Sequence, residues 1–461
     1  MGKILCRAGQ QRTPEPPAGL VEFSINRVGS TASPAHPVGV HPNREKVNAM
    51  KTVVIGGGVI GLLSAYELAR RGRDVVVIDK GCFGKGASLG NAGWVTPSLS
   101  GPVPAPGIVG ESIKWMVRPD SPLYVKPTAV PAMLGWLLSF WRYCNTRSYQ
   151  EGFQATADLN QRTMADFDAL KAEGFEFEMY EQGLLFVGLT NKAIERMLVD
   201  FRDLAKHGFG EPIQFTKAET LDREPALRDG IAGSVLMPQE RHVRPEQLND
   251  AALKWLRENE VTLMEDTEVF GFQHQNGKVS GVETTRGVIA ADEVLLATGA
   301  EVGQLAKYLG VRIPMQAGKG YSITITNPTV QLQGPMYMFE DRIAVSPFEN
   351  NLRIAGTMEL SGVNKKFDKR RVDAIRKGAH RFLKNWEQGD AVHEWVGMRP
   401  MVPDGIPVIG ALPRFSNAFI ASGHAMLGTT LGPTTAAVIA EVMVEGKTAS
   451  NLAPFSPARF S

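Results

Sequence analysis

Cysteine is scarce in this 461-residue chain: Cys6, Cys82 and Cys144 are the full set. They are widely spaced, match no metal-ligand pattern and suggest no disulfide framework, which fits a reducing cytoplasm. Charge of one sign is also lacking. Lys and Arg number 50 against 48 Asp and Glu, so no basic stripe argues for nucleic acid and no acidic run for a solvating tail. No apolar run is long enough to span a bilayer, and the strongest, residues 130–141, falls short. No internal repeat is visible. Residues 1–49 lack the apolar core of a signal peptide. They carry Pro14, Pro16, Pro17, Pro34, Pro37 and Pro42 with little apolar periodicity. We read 1–49 as a disordered leader and expect the folded protein to begin at Met50.

What is present begins directly after Met50. Lys51-Thr52-Val53-Val54-Ile55 reads as a short buried strand, followed by Gly56-Gly57-Gly58-Val59-Ile60-Gly61. A helical pattern comes next, with Leu62, Leu63, Tyr66, Leu68 and Ala69 apolar. A second strand, Val75–Ile78, ends in Asp79. Strand, Gly-x-Gly-x-x-Gly, helix, strand and acid in this order form the dinucleotide fingerprint. Gly56 permits the tight turn, Gly58 lets a pyrophosphate approach the backbone, and Gly61 lets helix and strand pack. The helix N-terminus offers N–H groups and a positive dipole end to phosphates. Asp79 can accept hydrogen bonds from a ribose hydroxyl.

Further along, Gly84–Gly93 is rich in glycine and small residues, so its backbone is open to a ligand. A Pro-rich loop follows, 97–106. Residues 130–141 are nearly all apolar, and Arg142 ends them. They suit a helix packed under a second domain, or a monotopic membrane contact near a quinone pool. Helical patterns cover roughly 153–172, 192–206 and the stretch after Arg244, with strand-like alternation at 175–187. Strands alternate with turns from 261 to 290, and Asn276-Gly277 signals a hairpin. A buried strand runs through Leu296 into Ala297-Thr298-Gly299. A strand-rich stretch, 320–359, precedes a helix at 369–383. A last strand at 418–421 enters Gly423-His424-Ala425-Met426-Leu427-Gly428, and a helix then runs to Gly446, a candidate C′ glycine.

Taken together, these segments resemble the FAD-dependent D-amino-acid-oxidase-like superfamily, and most the branch of bacterial D-amino acid dehydrogenases, D-hydroxyproline dehydrogenases and glyphosate-oxidoreductase-like enzymes. The resemblance is carried by Gly56–Gly61, Gly86-Ala87-Ser88 with Asn91-Ala92-Gly93, Lys319-Gly320-Tyr321-Ser322, Gly356-Thr357-Met358-Glu359, Gly397-Met398-Arg399-Pro400 with Pro403-Asp404-Gly405, and Gly423-His424 with Gly428. It covers nearly everything from Met50. Ala425 and Thr429 depart from the family, which often has Gly and Trp there. The resemblance implies an α/β protein in which a Rossmann-like FAD-binding domain is interleaved with an α+β mixed-sheet substrate domain. The expected FAD-domain segments are 50–105, 235–310 and 395–461, the last with the C-terminal helix; the substrate-domain segments are 106–234 and 311–394. It also implies FAD contacts from Gly56, Gly58, Val59, Ile60, Gly61, Asp79, Lys80, Ser88, Asn91, Ala92, Thr298, Gly299, Gly423, Gly428 and Thr429, with the Val269 backbone at the adenine.

The implied reaction is oxidative deamination of D-amino acids, or of cyclic imino acids such as D-hydroxyproline. A hydride passes from the substrate Cα to flavin N5, and the electrons go on to a quinone or respiratory acceptor. Such chemistry needs a fixed carboxylate and a neutral amine, but neither metal nor nucleophile. Arg399 is the first candidate for the carboxylate, since guanidinium binds it bidentately and Gly397 and Pro400 suggest a fixed turn. An Arg399–Asp404 pair in a structural turn is the alternative. Tyr321 can reach a carboxylate or serve as core packing. His424 can contact flavin or substrate or only satisfy backbone groups. Backbone N–H groups from Gly428 to Leu431 suit the flavin edge where charge accumulates on reduction. Competing functions are a glycine or N-substituted-glycine oxidase using O2, a nicotinamide dehydrogenase, and a catalytically silent flavin-binding subunit. The expected location is cytoplasmic, with peripheral inner-membrane contact as the variant.

Overall fold

The structure, a computed structural model, describes residues 49–107, 118, 120–446 and 450–461. The leader expected over 1–49 lies outside them but for Ala49. Lys51–Ile55 is an inner strand of a six-stranded sheet. Across it the order is Thr262–Met264, Asp74–Ile78, Lys51–Ile55, Glu293–Leu296, Ala418–Ser422 and Val408–Ala411. The first five run parallel and the last antiparallel. Alternate residues go to opposite faces. Val54 and Val77 pack with the helices Val59–Arg70 and Gly432–Glu445. Val53, Ile55, Val76 and Ile78 pack with Val302 and Ala306 of the helix Val302–Tyr308. Burial on both faces is why these strands read as unbroken apolar runs. Gly446 ends the C-terminal helix at φ 64°. The hairpin falls where Asn276-Gly277 placed it: both residues have positive φ between the strands Val269–Gln275 and Lys278–Thr284.

A second, nine-stranded mixed sheet runs Ala391–Met401, Gln316–Thr326, Asn351–Leu360, Ile343–Phe348, Met336–Met338, Leu184–Gly188, Gly233–Met237, Ile213–Thr216, with Leu123–Val125 beside Asn351–Leu360. One face carries Tyr321, Ile323, Val345 and Ile354 against Val372 and Ile375 of the helix Lys369–Phe382. The other face borders a cavity.

Three expectations change. The helix expected over 153–172 is two, Thr146–Asn160 and Thr163–Ala172. Asn160 at the break is buried and bonds the Ser100 and Thr163 hydroxyls at 2.8 and 2.9 Å, side-chain bonds that compete with helix continuation. The turn expected at Gly397–Pro400 is instead the end of an edge strand, Ala391–Met401, paired along its length with Gln316–Thr326. The ladder overrides the Gly and Pro signals, and an edge position tolerates Pro400. The domain boundaries drawn at 394/395 and 234/235 therefore fall inside continuous strands, Ala391–Met401 and Gly233–Met237.

The apolar segment forms the helix Val130–Tyr143. Met133 and Trp136 are buried, and the Trp136 indole donates to the Pro314 carbonyl at 3.1 Å. Its other face leaves Leu134, Leu138 and Trp141 exposed at 51, 57 and 64 %. Among the described residues no helix is long and apolar enough to cross a membrane.

Candidate functional site

The glycine turn is built by backbone contacts. Gly56 has φ 112°, and a Cβ there would sit 2.5 Å from the Ala297 carbonyl oxygen. A Cβ on Gly61 would meet the Gly56 carbonyl oxygen at 1.8 Å, so helix and strand approach as the motif requires. Gly58 is different: a Cβ there would meet only the Ser88 hydroxyl, at 3.5 Å. Its α-carbon faces open space, and as the N-cap of the helix that follows it brings no side chain to the helix start. Asp79 accepts from the Gly57 N–H at 2.7 Å and the Gly81 N–H at 2.9 Å. Burial pushes this carboxyl up, against those two N–H groups that favour its charge. Asp79 thus braces the turn before it meets any ribose. Lys80 pairs with Glu301 at 2.6 Å.

The Gly84–Gly93 loop folds back on this helix. Ser88 Oγ accepts from the Val59 N–H at 3.1 Å. Asn91 turns inward, donating to the Ser88 carbonyl and accepting from the Gly93 N–H. Arg353, in the large sheet, holds the loop by donating to the Leu89 and Asn91 carbonyls while it pairs with Glu246. Ala92 O accepts from Ser346 Oγ at 2.6 Å.

These parts surround one cavity of about 2020 Å3 that reaches from Asp79 to Arg399. That exceeds the roughly 300–1,000 Å3 of a site for one small ligand. Of the residues expected at a cofactor, all but Gly61 and Gly423 line it. Gly61 serves helix–strand packing, and Gly423, at φ 81°, packs on Val408. Thr298 contributes a buried hydroxyl with no partner among the described residues.

At the other end, Arg399 sits opposite Gly318 in the ladder, and its guanidinium lies over Gly320. A Cβ on Gly320 would come within 2.1 Å of Nη1 and 2.3 Å of Cζ. Arg399 donates to the Thr357 carbonyl at 3.0 Å and has no acidic partner among the described residues. Asp404, its alternative partner, is taken by Arg459 at 2.7 Å. Burial pushes Arg399 down to about 10, so it is charged at neutral pH. A desolvated guanidinium with idle N–H donors has the chemistry to bind a carboxylate.

A model of the FAD dependent oxidoreductase family, DAO, matches residues 51–442. The chain belongs to this family. Curated relatives of this FAD-dependent oxidoreductase include the D-amino acid dehydrogenases of Helicobacter pylori and of Vibrio atlanticus strain LGP32. The first is 30 % identical over 87 % of this chain and 96 % of its own length. The second is 30 % identical over 86 % and 96 %. Among solved structures, glycine oxidase from Geobacillus kaustophilus superposes with TM-score 0.71 at 23 % identity, covering 89 % of this chain and 99 % of that one. L-proline dehydrogenase from P. horikoshii superposes with TM-score 0.67 at 20 % identity, covering 89 % and 98 %. These likenesses establish the fold of the oxidoreductase.

The cradle fits FAD: Gly58, Gly86 and Gly299 leave open α-carbon space at the cavity, the helix starts there on a glycine, and Thr298, whose hydroxyl is orphaned, lines the same cavity. Family membership sets the nicotinamide alternative aside. Two of the three residues expected at the reaction, Tyr321 and His424, line the cavity and also have protein partners. The Tyr321 hydroxyl donates to Glu359 at 2.6 Å and its ring is in the core under the large sheet. Burial, the bond to Glu359 and its negative charge push that phenol up. His424 is buried with Nε2 on the Thr435 hydroxyl at 2.9 Å. Burial pushes it down to about 3, leaving a neutral ring at the cavity wall.

The motifs passed over Tyr337. It sits on the three-residue strand Met336–Met338, lines the cavity, and its hydroxyl has no partner among the described residues. Its nearness raises the tendency of Arg399 to stay charged. A lone Tyr between two methionines has no spacing that marks it. Trp395 was passed over too, although Trp-x-Gly in a strand signals an indole lying on a glycine. A Cβ on Gly397 would meet the Trp395 ring at 1.9 Å and one on Gly90 would meet it at 2.3 Å.

Proposed function

We propose that this oxidoreductase deaminates D-amino acids. The observation that carries the proposal is Arg399: a half-buried guanidinium without an acidic partner among the described residues, spread over Gly320 at the end of the cavity remote from the dinucleotide cradle. FAD, when bound, supplies the two-electron acceptor. Gly56, Gly58 and the start of the helix Val59–Arg70 would hold its pyrophosphate, with Asp79 at the ribose, Val269 at the adenine side and the turn through Gly428 and Thr429 at the far end. Arg399 binds the substrate carboxylate through its free N–H groups. The substrate gives up its α-hydrogen and two electrons and becomes an imino acid. Water hydrolyses that to a 2-oxo acid and ammonia. No group of the chain is needed as base once the amine is neutral, since hydride loss from the Cα then needs no prior proton removal; His424 holds Thr435 through Nε2. The D configuration is supported by the two relatives above, whose names state it. The interleaved segments drawn from sequence, with their boundaries moved to strand ends, are the domain organisation we propose.

The test is dye reduction by purified holoprotein across paired D- and L-amino acids, with and without O2. Turnover of D-amino acids with dye supports the reading. Turnover of glycine with O2 alone would replace it with the oxidase alternative, and bound flavin with no turnover of any amino acid would replace it with the silent subunit.

For the electrons we propose a quinone in a membrane that the protein touches peripherally. The exposed Leu134, Leu138 and Trp141 form a stripe on a helix that has no acidic residue and carries Arg142 in its last turn, the pattern of an interfacial helix. Leu138→Asp should reduce sedimentation with anionic vesicles at least fivefold, with dye activity intact. Equal sedimentation of both proteins would overturn the contact.

A further inference from the structure

The large sheet carries a row of directly paired residues on its cavity face: Trp395, Ser322, Ala355, Ala344, Tyr337 and Phe186. Ser322 pairs with Trp395 on one side and with Ala355 on the other. Ala344 pairs with Ala355 and with Tyr337, and Tyr337 pairs with Phe186. Residues directly opposite in a ladder share a face, and all of these but Ser322 line the cavity. The row is large at its ends and small in the middle. With strands about 4.8 Å apart, Trp395 and Tyr337 stand four spacings, about 19 Å, from each other at the backbone. Between them the floor is formed by the methyl groups of Ala355 and Ala344.

Both walls are braced. Trp395 is wedged by Gly90 and Gly397. The Tyr337 ring meets Trp94 edge-on at 5.6 Å and Phe186 edge-on at 5.7 Å. Trp94 is held by its indole N–H on Ser346 at 3.0 Å. The Arg399 guanidinium lies over Gly320, two residues along the strand from Ser322 and on the same face, so about 7 Å from the row. A carboxylate held by Arg399 therefore puts the rest of an amino acid over Ala355 and Ala344. No charged side chain belongs to the row. On the same face Arg353, two residues from Ala355, is committed to Glu246 and to the Leu89 and Asn91 carbonyls, and Arg342, which lines the cavity, is exposed with its guanidinium 5.1 Å from the Phe339 ring centre.

We infer that this trough is the side-chain subsite and that the substrates are D-amino acids with large apolar or aromatic side chains. The inference rests on the proposed deamination and names its substrate class. Filling the floor should close it to large side chains first.

The experiment compares D-phenylalanine, D-alanine and D-glutamate with the holoprotein, its Ala344→Leu variant and its Ala355→Val variant. Wild type should favour D-phenylalanine over D-alanine by about 10- to 100-fold in kcat/KM, the range that burying one large apolar side chain supplies. D-glutamate should rank below D-phenylalanine. Each variant should lower the D-phenylalanine to D-alanine ratio at least tenfold. As a readout apart from turnover, phenylacetate should raise the melting temperature of the wild-type holoprotein more than acetate does, and Ala344→Leu should erase that difference. A preference for D-alanine or D-glutamate in wild type, or an unmoved ratio in variants that keep their flavin absorbance, would overturn the subsite. If a variant loses its flavin, the other one is decisive. If no D-amino acid turns over, the deamination reading fails, and the phenylacetate comparison still decides the trough: equal shifts with the two acids overturn it.

Discussion

Arg399→Ala separates binding from stability more cleanly than any other change in the site. The side chain touches no carboxylate among the described residues, makes one protein hydrogen bond, to the Thr357 carbonyl, and lies on the bare backbone of Gly320. Burial pushes it down to about 10, which means that the free protein keeps this charge against its surroundings. Its folded-state pKa lies below the unfolded one, so over the pH range where it is charged its burial opposes folding. Truncation therefore removes a desolvated cation from the free protein, while it leaves the substrate carboxylate buried without a partner. Losing one side of a buried charge pair costs roughly 2–5 kcal/mol. At about 1.4 kcal/mol per tenfold, kcat/KM for D-amino acids should fall about 30- to 4,000-fold. Melting temperature and flavin absorbance should hold or rise. Arg399→Lys should recover little, because an ammonium offers a point charge where the site presents a planar fork. Steady-state dye reduction, thermal melts and the visible spectrum give all three quantities on one preparation. The reasoning fails if kcat/KM changes by less than threefold, or if the loss of activity is matched by loss of flavin.

Three further outcomes follow from the same geometry. Gly320→Ala should raise KM at least tenfold at nearly constant melting temperature, because the new methyl would collide with the mobile end of Arg399 and not with backbone; an unchanged KM would show that the guanidinium is not seated there. His424→Gln should leave the shape of the kcat/KM pH profile intact, since burial holds the histidine down to about 3 and it is neutral through the assay range; disappearance of a limb near pH 6–7 would make it a working base. Glu240 is buried with Oε1 on the Ser98 N–H at 3.0 Å, and burial pushes it up to about 8. The folded protein then holds a proton that the unfolded chain releases near the ordinary 4.5, so wild-type stability should fall from about pH 4.5 to about pH 8. Glu240→Gln should flatten that slope in thermal melts taken across the range, and parallel curves would disprove it.

Much of the dinucleotide end was legible because it is local. Gly56, Gly58, Gly61 and Asp79 act within one strand–turn–helix–strand unit, where backbone sterics and spacing nearly dictate geometry. The Asn276-Gly277 hairpin and the Gly446 helix end were legible for the same reason, each needing only positive φ. The reacting end was harder. Gly397 and Pro400 read as a turn, yet pairing with Gln316–Thr326 makes them strand, and local punctuation yields to ladder hydrogen bonds. Tyr321 carried a motif, yet its ring packs in the core cluster under the large sheet even though the residue borders the cavity, since alternate strand residues point to opposite sides. Tyr337, on the cavity face, carried no motif at all.

By itself, then, the sequence determined that this chain binds a dinucleotide with a backbone cradle, that its central strands are buried on both faces, and that Arg399 is the residue to watch. Those conclusions rest on short-range sterics, periodicity and one motif. Only the tertiary structure decided which face of the large sheet meets the cavity. It took Asp404 away from Arg399 by giving it to Arg459. It brought Trp395, Ala355, Ala344, Tyr337 and Phe186 into one row, from five strands lying between residues 184 and 401. Strand order and register are long-range pairings, and no local pattern in the chain encodes which strand will lie beside which.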